Sequence, residues 1–219
     1  MVLLLILFLF ICSFILFVAS RHDFVLLRQN ISIRLIFDRA FILVLFSLLM
    51  SRILYFIDMK MFDAFLNPLR FLHILLYWGL NFLGLFMVVA LGVVFFFRKR
   101  KNTLRILDIY LLSFFPLLVF DATTHLLLGG IDWRIAVGEI LVLLVVFIIL
   151  IRMHTRFAIR DGVVAFGVLV SSAVFYLSNS LIQKGSVVLY SPVQIIALVV
   201  LAISIYCLAL IKLDFFKGK

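Results

Sequence analysis

Asp121 and His125 stand four residues apart, the spacing that places two side chains on one face of a helix. A carboxylate so placed holds an imidazole in one tautomer, the arrangement of a general base that takes a proton from an acceptor. Arg52 carries a planar fork of donors that matches a phosphate. Glu139, Asn81, Asn179, Gln183 and Gln194 complete a set of polar side chains set inside long apolar runs. Ionisable groups in such runs are costly and face a protein interior or a wet cavity. Each residue also has a purely structural reading. The Asp121–His125 pair can hold two helices together, Arg52 can snorkel to an interface, and Glu139 near a helix start is favoured by the helix dipole. Ser178-Asn179-Ser180 suits hydrogen-bonding glue between helices better than a nucleophile. No metal-ligand or nucleotide-binding pattern accompanies these residues, so neither a metal nor another cofactor is expected.

The runs that carry these residues decide the class. The chain has 219 residues, of which 67% are hydrophobic and 14% charged, against roughly 45–50% and 25% in soluble domains. No aqueous fold of this size hides so much apolar surface. Apolar runs fall at 2–19, 40–57, 71–97, 106–128, 135–151, 162–183 and 192–211, each close to the twenty or so residues that cross a bilayer. They predict an all-α bundle of about seven transmembrane helices in a single domain spanning 1–219. Cys12 and Cys207 both lie inside runs and read as small buried hydrophobes. The first run lacks a basic leading segment and a small-residue cleavage site, so it reads as a retained helix.

Orientation follows from the loops. Arg21, Arg28, Arg34 and Arg39, then Arg98 to Arg105, Arg152 to Arg160, and the Lys212–Lys219 tail share one side and hold 15 of the 20 basic residues. Basic loops stay cytoplasmic, which puts the amino terminus outside and the carboxyl terminus in the cytoplasm. The net charge of +10 therefore belongs to lipid headgroups rather than to nucleic acid. The apolar and basic stretch at 24–36 suits the inner membrane surface. On this topology Arg52, Asp121, His125, Glu139, Asn179, Gln183 and Gln194 gather in the outer half of the bundle. Asn81, about ten residues into the third run, falls near mid-depth.

Several stretches, in order, resemble prolipoprotein diacylglyceryl transferase, a bacterial enzyme family. Ser51-Arg52-Ile53-Leu54-Tyr55 is similar to the family's Ala-Arg-x-x-Tyr segment, followed by Asn67-Pro68. Tyr77-Trp78-Gly79 with Gly84 and the basic Arg98–Lys101 is similar to its His-Gly-Gly helix. Leu107-Asp108 and Pro116-Leu117, then Asp161-Gly162 and Ser191-Pro192-Val193-Gln194, are similar to its later helices. The resemblance implies a bacterial cytoplasmic membrane, phosphatidylglycerol as lipid partner, and a lipoprotein precursor or another membrane protein as second partner. It also implies a lipid-facing site in the outer half; in a transferase reading of this chain's own residues, Arg52 holds the phosphate and the Asp121–His125 pair activates an acceptor. The signature differs at Trp78, at Ala122–Leu126, and at Tyr176 and Ser180, where the family has His, Gly-Arg-Ile-Gly-Asn, Arg and Glu. Tyr176 thus joins the candidate lipid-binding residues, and the implied chemistry is altered or lost. The alternatives are a non-enzymatic lipid-binding or complex-forming subunit, and a small carrier or channel.

Overall fold

The computed structural model describes residues 2–28, 31–61, 80–98, 102–128, 132–155, 160–184 and 191–217, with side chains left undescribed at 2, 25, 27, 183–184 and 212–217. All regular structure among them is helical. The elements are α1 (Val2–His22), α2 (Phe24–Arg28), α3 (Ile33–Asp58), α4 (Phe82–Phe97), α5 (Thr103–Phe114), α6 (Pro116–Leu128), α7 (Trp133–Thr155), α8 (Val163–Lys184) and α9 (Pro192–Lys217). Helix is the element this sequence favours in lipid, because each backbone group must find its partner within the segment.

α5 and α6 form the axis of the bundle. They read as one crossing of 26 residues, Thr103–Leu128, and almost all of it is enclosed by other helices. Phe115 interrupts the helix because Pro116 has no N–H to give the preceding turn; the Phe115 N–H bonds Leu112 instead, at 3.3 Å. Phe86, Val89, Tyr110, Phe115 and Phe120 form the enclosed centre. The outer helices face the other way. Leu141, Val142, Val145, Ile148 and Ile149 on α7, with Ile195, Val199, Ile203 and Ile205 on α9, are exposed in long apolar strips of the kind that faces lipid in a membrane protein. Six helical stretches, Leu3–His22, Ile33–Asp58, Thr103–Leu128, Trp133–Thr155, Val163–Ile182 and Pro192–Ile211, are long and apolar enough to cross a membrane, and Phe82–Phe97 is a shorter apolar helix beside them.

Boundaries differ from the sequence reading where side chains cap a helix. The second run, expected at 40–57, begins instead at Ile33. The Ser32 hydroxyl accepts the Leu35 N–H at 3.2 Å and extends the helix through the basic stretch. It ends as expected at Asp58, where the chain turns through Lys60 at φ 55°. The third run, expected to be continuous over 71–97, is not. Leu80 and Asn81 are non-helical, with Asn81 extended at φ −99°, ψ 101°. The backbone of Asn81 is taken by α3: its N–H bonds the Ser51 carbonyl at 3.1 Å and its carbonyl accepts the Ser51 hydroxyl at 2.8 Å. Trp78, Gly79 and the Asn67-Pro68 pair lie outside the described residues. The stretch expected to lie along the membrane surface divides between the short α2 and the first turns of α3.

Each end of the bundle carries its own polar cluster. At one end, the Arg105 guanidinium donates to Asp23 at 2.7 Å and stands 3.9 Å from Asp161. His154 lies 3.9 Å from the same Asp23 oxygen. Burial is the main influence raising the Asp161 carboxyl above its ordinary range; Arg105 pulls it down and Asp23 pushes it up. Asp108 caps α8 by accepting the N–H groups of Gly162 at 2.8 Å and Ala165 at 2.6 Å. Gly162, at φ 95°, makes the turn that presents them.

Candidate functional site

At the opposite end lies a cavity of about 230 Å³ built by α3, α4, α6 and α8. Tyr55 and Asp58 come from the last turn of α3, and Leu80 to Leu83 from the start of α4. α6 contributes Asp121, Thr124 and His125, and α8 contributes Ser172, Phe175, Tyr176, Asn179 and Ser180. Four helices must therefore end or pass at one level for the site to exist.

The structure brings together Asn81, Asp121, His125, Tyr176 and Asn179 among the predicted residues. Asp121 Oδ1 and His125 Nε2 are 3.8 Å apart, close enough to interact as charges but too far for a direct hydrogen bond. Thr124 and Thr123 return their hydroxyls to the carbonyls of Asp121 and Val119, at 2.8 and 2.7 Å, and so serve the helix itself. Arg52 is buried outside the lining, its guanidinium 4.6 Å from the centre of the Phe56 ring and 5.8 Å from that of Tyr55. Glu139 is also outside. It lies in a groove between α7 and α8 with Gly138, Ser171, Val174, Phe175 and Ser178, and neither carboxylate oxygen has a hydrogen-bond partner. Phe175 lines both spaces, and Asp121 lies within electrostatic reach of Glu139. Gln194 faces α8: it donates to the Ser180 hydroxyl at 2.5 Å and accepts the Ser191 N–H at 3.3 Å. Gln183 is on α8 with its side chain outside the described set.

Asp58 and Ser172 escaped the sequence reading, and Tyr55 and Ser191 entered it only as parts of the resembling segments, not as candidate site residues. Asp58 accepts the Tyr176 hydroxyl at 2.8 Å and the Ser191 hydroxyl at 2.5 Å, joining α3, α8 and the start of α9. Its position one residue past an apolar run gave it the look of an interfacial group. The only available signal was an acidic residue exactly where a helix must end, which is weak by itself.

Three features govern what the cavity can hold. Asn81 and Asn179 are more than nine-tenths buried, and the Oδ1 of each lacks a hydrogen-bond partner. The Asn81 amide also reaches the Tyr176 oxygen, which already donates to Asp58; Asn81 is therefore the donor, and its Oδ1 is the free acceptor. Helix ends supply fixed partial charges. The positive end of α4 meets the cavity at Asn81–Leu83, while the negative ends of α3 and α6 meet it at Asp58 and His125–Leu128. Finally, Leu80, Phe82, Leu83, Leu118 and Phe175 give it an apolar side.

The enclosed α5–α6 axis, its ring of lipid-facing helices and a polar cavity at one end define a multi-pass helical membrane protein. Comparison with family models, with curated proteins and with solved structures finds no match for this chain.

Proposed function

We propose that this chain handles phospholipid by taking the polar headgroup into the Asp58–Asp121–His125 cavity, which opens toward the outer leaflet. The observation that carries the reading is the convergence of Asn81, Asp121, His125, Tyr176 and Asn179, from three helices, on one cavity with an apolar side. A headgroup needs the polar wall and its glycerol backbone needs the apolar one. The basic loops at the other end support an orientation with this end outside the cytoplasm. The likeness to prolipoprotein diacylglyceryl transferase agrees with such a site in a bacterial cytoplasmic membrane, with phosphatidylglycerol as the lipid it implies. His125, accompanied by Asp121, is the base placed to take a proton from an acceptor; a thiol reacts as the thiolate. Arg52 positions the end of α3 from behind the Tyr55 and Phe56 rings.

The test begins with lipid extracted from the detergent-purified protein and identified by mass spectrometry. Roughly one phospholipid per chain is expected in wild type, with marked loss in Asn179→Leu. A wild-type protein that retains none overturns the reading. Labelled phosphatidylglycerol and a lipobox peptide then divide its two forms. Transfer that disappears in His125→Ala identifies an enzyme, and retention without transfer identifies a lipid-binding subunit.

A further inference from the structure

Among the described residues, the cavity is a surplus of acceptors. Asp121 brings a carboxylate to its wall beside the already hydrogen-bonded Asp58, Asn81 and Asn179 bring buried, unbonded carbonyl oxygens, and no described Lys or Arg lines it. A buried acceptor left without a donor is costly, so the natural occupant brings donors. The two amides are more than nine-tenths buried, which sets them apart from a solvated acidic patch. The cavity's 230 Å³ also exceeds what one small ion or water needs, a water's share being about 30 Å³.

The helix ends add polarity to that demand. Negative partial charge from α3 and α6 lies with the carboxylates, and the positive end of α4 enters from another side. An occupant with a cation and an anion a few bonds apart satisfies both. Beyond Phe175, the groove between α7 and α8 encloses about 500 Å³, is almost wholly apolar, and holds the unpartnered carboxylate of Glu139. A Cβ added to Gly138 at the edge of that groove would meet nothing within 4 Å.

We infer that the occupant is a phospholipid with a primary-amine headgroup, of the phosphatidylethanolamine class, entering sideways between α7 and α8. This rests on the phospholipid reading above and puts an amine headgroup in place of the phosphatidylglycerol that the likeness implies. The acyl chains lie in the α7–α8 groove and the headgroup passes Phe175. The ammonium donates to Asp121 and to the Asn81 and Asn179 carbonyls, and the phosphate faces the α4 amino terminus. Glu139 stands at the threshold, where its charge attracts the ammonium and repels an anionic headgroup.

The experiment uses the full chain in nanodiscs of phosphatidylcholine doped with phosphatidylethanolamine or with phosphatidylglycerol, read by native mass spectrometry of the released complex. Wild type is expected to retain phosphatidylethanolamine roughly tenfold over phosphatidylglycerol, equivalent to about 1.4 kcal/mol. Asp121→Asn should remove most of that preference, and Glu139→Gln about threefold of it, with a wild-type-like, monodisperse size-exclusion profile as the control for folding. Equal retention of the two lipids by wild type overturns the amine assignment and leaves the phospholipid reading intact. Retention of neither overturns both. Binding of free ethanolamine in the absence of any lipid retention assigns the cavity to a soluble amine and overturns the lipid commitment.

Discussion

Arg105 is 4% exposed and Asp23 2%, and such burial of charge is tolerated because the two meet at 2.7 Å. Asp23 does double duty, since its other oxygen accepts the Leu26 N–H at 3.2 Å and starts α2. Removing one member strands the other charge, at a cost of about 3–5 kcal/mol, whereas replacing both by apolar groups is close to neutral. Arg105→Ala should therefore lower the detergent melting temperature sharply, and an Asp23→Leu/Arg105→Leu double variant should recover most of the loss. A double variant as unstable as the single one would mean that Arg105 acts mainly through other partners, such as the His154 carbonyl it reaches at 3.4 Å. Sequence alone undervalued both residues. They lie outside the apolar runs, where a charge reads as solvated, and only the folding of the α1–α2 turn against α5 encloses them.

At the scale of the element, helix contacts in lipid depend on close packing rather than on expulsion of water. α3 and α4 show this at two glycines. A Cβ on Gly84 would come within 2.6 Å of Leu54 Cδ1, and one on Gly92 would overlap Leu43 Cδ2. Both obstacles are ends of flexible side chains, so alanine is tolerated through a leucine rotamer change. Gly92→Val is expected to cost about 1–3 kcal/mol as an overpacked contact. Leu43→Ala in the same chain should restore a good part of it, measured by thermal unfolding in detergent; no rescue would place the strain elsewhere. Arg39 closes the far end of the same pair. Its guanidinium donates to the Phe96 carbonyl at 2.5 Å and lies 4.6 Å from the centre of the Phe97 ring, where the negative end of α4 favours a cation. The apolar run at 71–97 marked this crossing in the sequence, but the first residue of α4 did not follow from it. The Ser51–Asn81 exchange of backbone bonds decides it, and a contact 30 residues apart leaves no trace in a hydropathy window.

For the whole molecule, the two polar clusters occupy opposite ends of the bundle, and the basic loops belong to the Asp23–Arg105 end. The proposed orientation puts that end in the cytoplasm. With Cys207 replaced, a cysteine at Arg160 should be protected from an impermeant thiol reagent in intact cells and labelled in inverted vesicles. A cysteine at Lys60 should behave in the opposite way. The reverse pattern would turn the cavity toward the cytoplasm and withdraw the outer-leaflet reading, while the cavity's own chemistry would stand.

The membrane class, the all-helical architecture and most of the crossings were determined by the sequence, because a run of about 20 apolar residues has one stable solution in a bilayer and composition suffices to find it. The candidate polar residues were legible for the same reason: a charge within such a run is conspicuous. Which of them share a space was decided only by tertiary structure. Asp121, His125, Asn81, Tyr176 and Asn179 converge because α4 begins just after Asn81 and the ends of α3, α4 and α6 meet α8 there, whereas Arg52 turns to its own rings and Glu139 to the α7–α8 groove. Rotation about a helix axis and the level at which a helix stops are set by its neighbours, and no one-dimensional pattern records them.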